Sequence, residues 1–249
     1  MRFFLAIAAL FAGWGQAQEP APADAQLINN VVIIFDASGS MRGTMGGATK
    51  MDAAKSAIRQ VVDQIDLKTT HVGLLVFSAK NLGTKHWVYP LAAVNRAQFT
   101  AAVNKPEAFA RTPLGRYLKI GADVLLAKRA AQAGYGSFRL LVVTDGQADD
   151  QPVLEKHVRE VLARGLVVDV IGVGMRGDHM LATQSNSYRR ANDEASLRAA
   201  VSQVFAEVSG KQDDRESQEA FELISWLEHE GALSLLEALN ATANTPIGE

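Results

Sequence analysis

The stretch Asn30–Ser40, NVVIIFDASGS, decides the architecture of this chain. After its first residue, Asn30–Phe35 is a continuous apolar run, too short for an ordinary helix and rich in β-branched residues. That pattern predicts a strand buried on both faces. At Asp36 the run breaks into alanine, serine and glycine, small residues that let a backbone turn sharply. A second boundary of the same kind lies where Arg139–Val143 (RLLVV) runs into Thr144-Asp145-Gly146-Gln147. Working outward, further strands are predicted at His71–Phe77 (HVGLLVF) and Leu166–Ile171 (LVVDVI), with an edge hairpin strand at His86–Tyr89. Helical spacing of Ala54, Ile58, Val61, Val62 and Ile65 predicts a helix over Met51–Ile65, and others are expected at Leu114–Leu126, Val153–Leu162 and Leu197–Val208. Strands apolar on both faces that alternate with helices imply an α/β fold. The expectation is a doubly wound, mostly parallel sheet with one antiparallel edge strand and helices on both faces.

The 249 residues divide unevenly around this centre. Residues 1–17 carry one positive charge at Arg2, an apolar run from Phe3 to Ala12 and small residues at Gly15 and Ala17, the pattern of a cleaved secretory signal peptide. The run falls far short of the roughly 20 apolar residues a membrane span requires. Export to a periplasm or the exterior is therefore expected, with no membrane span in the mature chain. A polar, proline-bearing linker covers residues 18–26, the α/β domain residues 27–208, and an extension residues 209–249. In that extension Phe221, Ile224, Leu227, Leu235 and Leu239 recur near helical spacing. From Asp213 onward it holds nine acids against one arginine. Such a helix either packs back on the domain or docks another protein.

Composition removes several kinds of function. Cysteine is absent, which excludes disulfides, thiolate metal sites and cysteine nucleophiles. The formal net charge of -2, without a Lys/Arg cluster, excludes the footprint of a nucleic-acid binder. Any metal must be held by oxygen or by the five histidines, and those show no shared ligand spacing. In a doubly wound fold, ligands bind beyond the carboxyl ends of the strands. Asp36, Ser38 and Ser40 place one carboxylate and two hydroxyls in one such loop, a hard-donor set suited to Mg²⁺ or a similar cation.

This DxSxS pattern resembles the metal-ion-dependent adhesion site of von Willebrand factor A domains. The resemblance extends to Thr112 in ARTPLG, which opens a helix, to Asp145 in TDG, and to SYRRAND at Ser187–Asp193, which is similar to the last edge strand and the start of the final helix. It covers roughly Leu27–Val208 and implies a Rossmann-like sheet. It also implies that Ser38 and Ser40 hold a divalent ion directly, Asp36 and Asp145 directly or through water, and Thr112 according to ligand state. Mg²⁺, or Mn²⁺ or Ca²⁺, is the cofactor implied. The partner is a protein with an exposed Asp or Glu that completes the ion's shell, and the C-terminal helix is a possible second contact. Met41, Gly43, Arg111, Gln147 and Asp149 flank the set and form the expected partner-binding rim.

Other signals carry less. The glycine-rich Gly43–Lys50 (GTMGGATK) lacks the GK[ST] ending of a phosphate loop and reads as a flexible rim. Asp36 lacks the second Asp two positions on that an aspartyl phosphatase needs. Arg176-Gly177-Asp178 is a common tripeptide in an ordinary turn, and no GxSxG nucleophile elbow occurs. A metal-assisted hydrolase would need a general base, for which Asp149 and Asp150 are the candidates. A domain whose metal only stabilises its loops is the other alternative. The donor set favours a binding module that is not an enzyme.

Overall fold

The computed structural model describes residues 27–63, 65–175, 177, 179–208 and 244–248. The expected export signal and linker, most of the acidic extension, and Arg176 and Asp178 lie outside the described residues. In chain order the elements are β1 (Asn29–Asp36), β2 (Thr44–Met45), β3 (Ala48–Thr49), α1 (Lys50–Val61), β4 (Thr70–Phe77), β5 (Trp87–Ala93) and α2 (Arg96–Asn104). There follow α3 (Leu114–Ala131), β6 (Phe138–Thr144), α4 (Gln151–Ala163), β7 (Val167–Val173), β8 (Ser187–Ala191) and α5 (Glu194–Val208). No helix among the described residues is long and apolar enough to cross a membrane.

Six strands form one sheet in the order β5-β4-β1-β6-β7-β8. Every pairing is parallel except that of β5 with β4 at one edge. Pro90 lies exposed within β5, where a missing N–H does not interrupt a ladder on both sides. Alternate residues of β1 face opposite cores. Val31, Ile33 and Phe35 pack with α1, α2 and α5, whereas Val32 and Ile34 pack with α3 and α4. Both faces are dry, which is why the strand reads as unbroken apolar sequence rather than as alternation.

The departures from expectation have local causes. Helix α1 ends at Val61, four residues before the apolar periodicity does, because Val62 and Ile65 are buried from the turn that follows. Strand β5 runs four residues beyond Tyr89. Helix α2 was not expected from its weak apolar stripe. It is started by Asn95, whose side chain accepts the Gln98 N–H (3.1 Å), and it buries Phe99, Ala102 and Val103. The glycine-rich segment is a tight two-strand hairpin rather than a loose rim. Gly46 and Gly47 turn it with φ of +60° and +93°, the left-handed pair that a two-residue hairpin loop requires. At the far end of the chain, Ile247 is buried against the α3/α4 face, with its N–H donating to Asp123 Oδ1 (2.8 Å). Arg129 and Arg164 hold the same segment through the Asn244 side chain and the Thr245 and Pro246 carbonyls.

Candidate metal centre at the β1/β6 switch point

Strand order reverses at β1, since the chain leaves β1 toward β4 and later returns to β6 on its other side. The crevice between the carboxyl ends of β1 and β6 is thus the switch point where ligands bind in doubly wound sheets. Asp36 ends β1, and Asp145 follows Thr144, the last residue of β6.

A continuous hydrogen-bonded chain links the two strand ends. Thr144 Oγ1 donates to Asp36 Oδ2 (2.6 Å), and the Ser38 backbone N–H donates to Asp36 Oδ1 (2.7 Å). The Ser38 and Ser40 hydroxyl oxygens lie 3.0 Å apart, and Ser40 Oγ donates to Asp145 Oδ1 (2.6 Å). A serine hydroxyl has one proton, so with Ser40 committed to Asp145 the Ser38 hydroxyl is the donor between the two. Each oxygen keeps lone pairs for a cation while its proton points at a neighbour. On Asp145 the remaining oxygen, Oδ2, accepts from Lys50 Nζ at 2.9 Å.

Asp36 is fully buried, and burial pushes its carboxyl up to about 6 despite the hydrogen bonds from Thr144 and Ser38. A carboxylate so desolvated lacks the counter-charge that a cation would supply. Behind the Asp145–Gly146 turn, His179 is also buried. Its Nδ1 accepts the Leu181 N–H (3.1 Å), which places the neutral ring's proton on Nε2. The Gly146 backbone nearby favours the protonated ring, but Nε2 has no hydrogen-bond partner. Burial holds this imidazole down at about 4.

Thr112 reaches the site on a strapped loop. The Phe109 N–H donates to the Ala37 carbonyl (2.8 Å) and the Gly39 N–H to the Ala110 carbonyl (2.9 Å). A Cβ at Gly39 would meet the Phe109 carbonyl at 2.8 Å, so only glycine allows these loops to approach so closely. Ser78, just past β4 with φ of +65°, donates its hydroxyl to the Arg111 carbonyl. From the other side, the Thr112 N–H donates to Asp149 Oδ2 (2.6 Å) and the Thr112 carbonyl accepts the Asp149 N–H (2.8 Å). These backbone bonds hold Thr112, which is 7% exposed, two residues beyond the Ala110 carbonyl that binds the serine loop.

Of the expected ligand set, Asp36, Ser38, Ser40 and Asp145 are linked by hydrogen bonds, whereas Thr112 makes no bond to them and is held by Asp149 on the loop that straps the serine segment. The rim needs correction at one position. Met41 is wholly buried in the α1-side core, because its short 3₁₀ turn tucks that side chain under the loop. Gly43, Arg111, Gln147 and Asp149 are exposed. Asp149 and Asp150, the candidate bases, are engaged in structure. Asp149 holds the Thr112 N–H, while the two Asp150 oxygens accept the N–H groups of Gly115 and Arg116 at 2.9 Å each, capping α3. Sequence reasoning missed Thr144, Lys50 and Ser78. Only Thr144 carried a signal, its position directly before Asp145 at the strand end.

The donors fit a hard divalent cation, with two carboxylates and two hydroxyls converging and no thiolate or imidazole among them. No cluster of three or more His, Cys, Asp or Glu occurs among the described residues, so any ion here rests largely on neutral oxygens.

Comparison with known proteins agrees with this fold. A family model, the von Willebrand factor type A domain, matches residues 30–207. No curated protein sequence matches the chain. Among solved structures, proximal thread matrix protein 1 from the mussel byssus is 18% identical with a TM-score of 0.57, covering 75% of this chain and 47% of its own. A form of that protein with a zinc-occupied MIDAS motif, also 18% identical, has a TM-score of 0.52 and covers 73% and 47%. The conserved hypothetical protein BatB from Bacteroides thetaiotaomicron is 16% identical with a TM-score of 0.56, covering 72% of this chain and 98% of its own. The pilus adhesin SpaC from Lactobacillus rhamnosus GG is 15% identical with a TM-score of 0.61, covering 74% and 30%. The chain thus spans about half the length of the mussel protein and under a third of the adhesin.

Proposed function

The chain belongs to the von Willebrand factor type A family, and from that premise we propose that it is an exported binding module that captures a partner protein through an intact metal-ion-dependent adhesion site. The observation that carries this reading is the hydrogen-bonded chain from Thr144 through Asp36, Ser38 and Ser40 to Asp145. Ser38 and Ser40 hold the ion, Asp36 and Asp145 orient the hydroxyls and balance charge, and Thr112 completes the set. The ion is Mg²⁺, with Mn²⁺ or Ca²⁺ as substitutes, and when bound it supplies an electrophilic position that an Asp or Glu of the partner occupies. With only two carboxylates nearby, the ion keeps enough positive charge to make that contact favourable. Exposed Phe109, at 55%, and the exposed Arg111 guanidinium give the rim an apolar and a basic element beside this position. The acidic C-terminal extension, whose sequence has helical spacing, is a possible second contact in this reading. One structural neighbour is a pilus adhesin, which supports an adhesive role.

The protein is not an enzyme in this reading. A hydrolase would need a base to activate water, and the two carboxylates best placed by sequence are bonded to backbone N–H groups. The test is a melting series with Mg²⁺, Mn²⁺ and Ca²⁺ against EDTA, beside affinity capture from the exporting cell's envelope under the same conditions. Metal raises the melting temperature of the wild type by mass action. Both that shift and partner capture disappear in Asp36→Ala, while Thr112→Ala loses capture with the fold intact. Capture indifferent to EDTA and to both substitutions would falsify the mechanism.

A further inference from the structure

Lys50 is in the wrong place for its helix and the right place for the ion site. It is the first residue of α1, where the helix dipole disfavours a cation, and acidic residues belong in such a first turn. Two separate local features nevertheless aim it at Asp145. The Gly46-Gly47 hairpin closes back on itself, with the Lys50 N–H donating to the Gly43 carbonyl at 2.8 Å. Gly174, directly after β7 with φ of +56°, leaves the path of the side chain open, because a Cβ there would lie 2.9 Å from Lys50 Cε. The ammonium then meets Asp145 Oδ2 at 2.9 Å, with the Asp145 side chain wholly buried and that of Lys50 15% exposed. A residue that breaks a local rule while several elements accommodate it marks a functional position.

We propose that Lys50 is a built-in counter-cation of the metal site, weakening its hold on a divalent ion and keeping the loaded site net positive for an acidic partner. This rests on the reading of the site as a metal centre. With Asp36 ionised, Asp36, Asp145 and Lys50 together carry a charge of about -1 and, with a divalent ion added, about +1. Without Lys50 the loaded site would be neutral. The ammonium occupies Asp145 Oδ2, the oxygen not already bonded to Ser40, so both carboxylate oxygens are engaged before any ion arrives. In a buried setting, a neighbouring positive charge opposes an incoming cation far more than it would in water. It also stabilises the metal-free loop, which is why the buried carboxylate is tolerated there.

The experiment measures Mn²⁺ affinity by calorimetry and by electron spin resonance at one pH and ionic strength, together with melting temperature in EDTA. It compares wild type with Lys50→Met, Lys50→Gln and Lys50→Arg. Lys50→Met and Lys50→Gln are expected to bind Mn²⁺ on the order of tenfold to a hundredfold more tightly. In EDTA both melt below wild type. Lys50→Arg stays within about threefold of wild type because the charge is kept. A merely structural lysine would lower the melting temperature without tightening the metal. Unchanged or weakened Mn²⁺ affinity in whichever of the two neutral variants folds, against a wild type that binds, overturns the inference alone. A wild type that shows no Mn²⁺ binding overturns the metal reading, and this inference with it.

Discussion

Two buried titratable residues beside the site give the metal-free protein opposed responses to acid. The Asp36 carboxyl sits at about 6 in the fold against 3.8 unfolded, so between those values the folded state holds a proton that the unfolded chain has released. Stability therefore falls as pH rises through that window, by about 3 kcal/mol. The His179 imidazole sits at about 4 against 6.5 unfolded, so there the unfolded chain takes up the proton first. Its contribution is fully present above 6.5 and fades as pH falls toward 4, again by about 3 kcal/mol. The two windows overlap and partly cancel in the wild type. Melting curves in EDTA from pH 4 to 8 separate them. Asp36→Asn should lose the fall between 4 and 6 and leave a net rise, whereas His179→Asn, whose amide oxygen can still accept the Leu181 N–H, should show the fall alone. A wild-type profile unchanged by either substitution would contradict both assignments.

At the scale of elements, helix ends and turns hold the loops of the site in addition to the bonds among the ligands themselves. Asp150 caps α3 through two N–H groups, and Asp149 ties the α4 side to Thr112, so the start of α3 and the threonine loop are anchored to the same segment. Replacing Asp150 by alanine should lower stability by about 1–2 kcal/mol, the range of a lost cap. Chemical denaturation reads that loss, and Mn²⁺ affinity should stay close to wild type because Asp150 does not touch the donor oxygens. An equal loss of metal binding would place Asp150 in the site after all. Much of this was legible in sequence. Asp36 and Asp145 stood out because both follow apolar runs that are buried on two faces. Helix α2 did not, because its start is set by one Asn95 side chain and its burial by three residues. Lys50 was hidden for a related reason. Its reach to Asp145 depends on a two-glycine turn and on free space beside Gly174, and neither is a property of the lysine's neighbours in sequence.

Over the whole molecule, the segment Asn244–Gly248 joins the core on the α3/α4 face, opposite the face where α5 packs with α1. Part of the C-terminal extension therefore contributes to the domain's stability. Ile247 is 2% exposed, yet a short segment held by few contacts can open locally, which limits the effect of truncating its side chain. Ile247→Ala should reduce stability by about 1–2 kcal/mol, below the 2–5 kcal/mol of a fully enclosed isoleucine. Hydrogen exchange should show faster exchange at the Ile247 amide, which now donates to Asp123. No change in either measurement would mean that the segment is not docked in solution.

The sequence by itself determined the α/β class, the parallel core strands and the positions of Asp36, Ser38, Ser40, Thr112 and Asp145 at element boundaries. It could do so because burial on both faces of a sheet forces unbroken apolar runs, and a run's end marks a loop. The tertiary structure decided what those residues do to one another. It brought Ser40 and Asp145, 105 residues apart, into hydrogen bonding across the ends of two strands. It turned Met41 inward, engaged Asp149 with the Thr112 N–H and Asp150 in capping α3, and delivered Lys50 to a buried carboxylate. Side-chain direction and charge pairing across a switch point depend on strand order and loop closure, and these are settled only when the sheet is assembled.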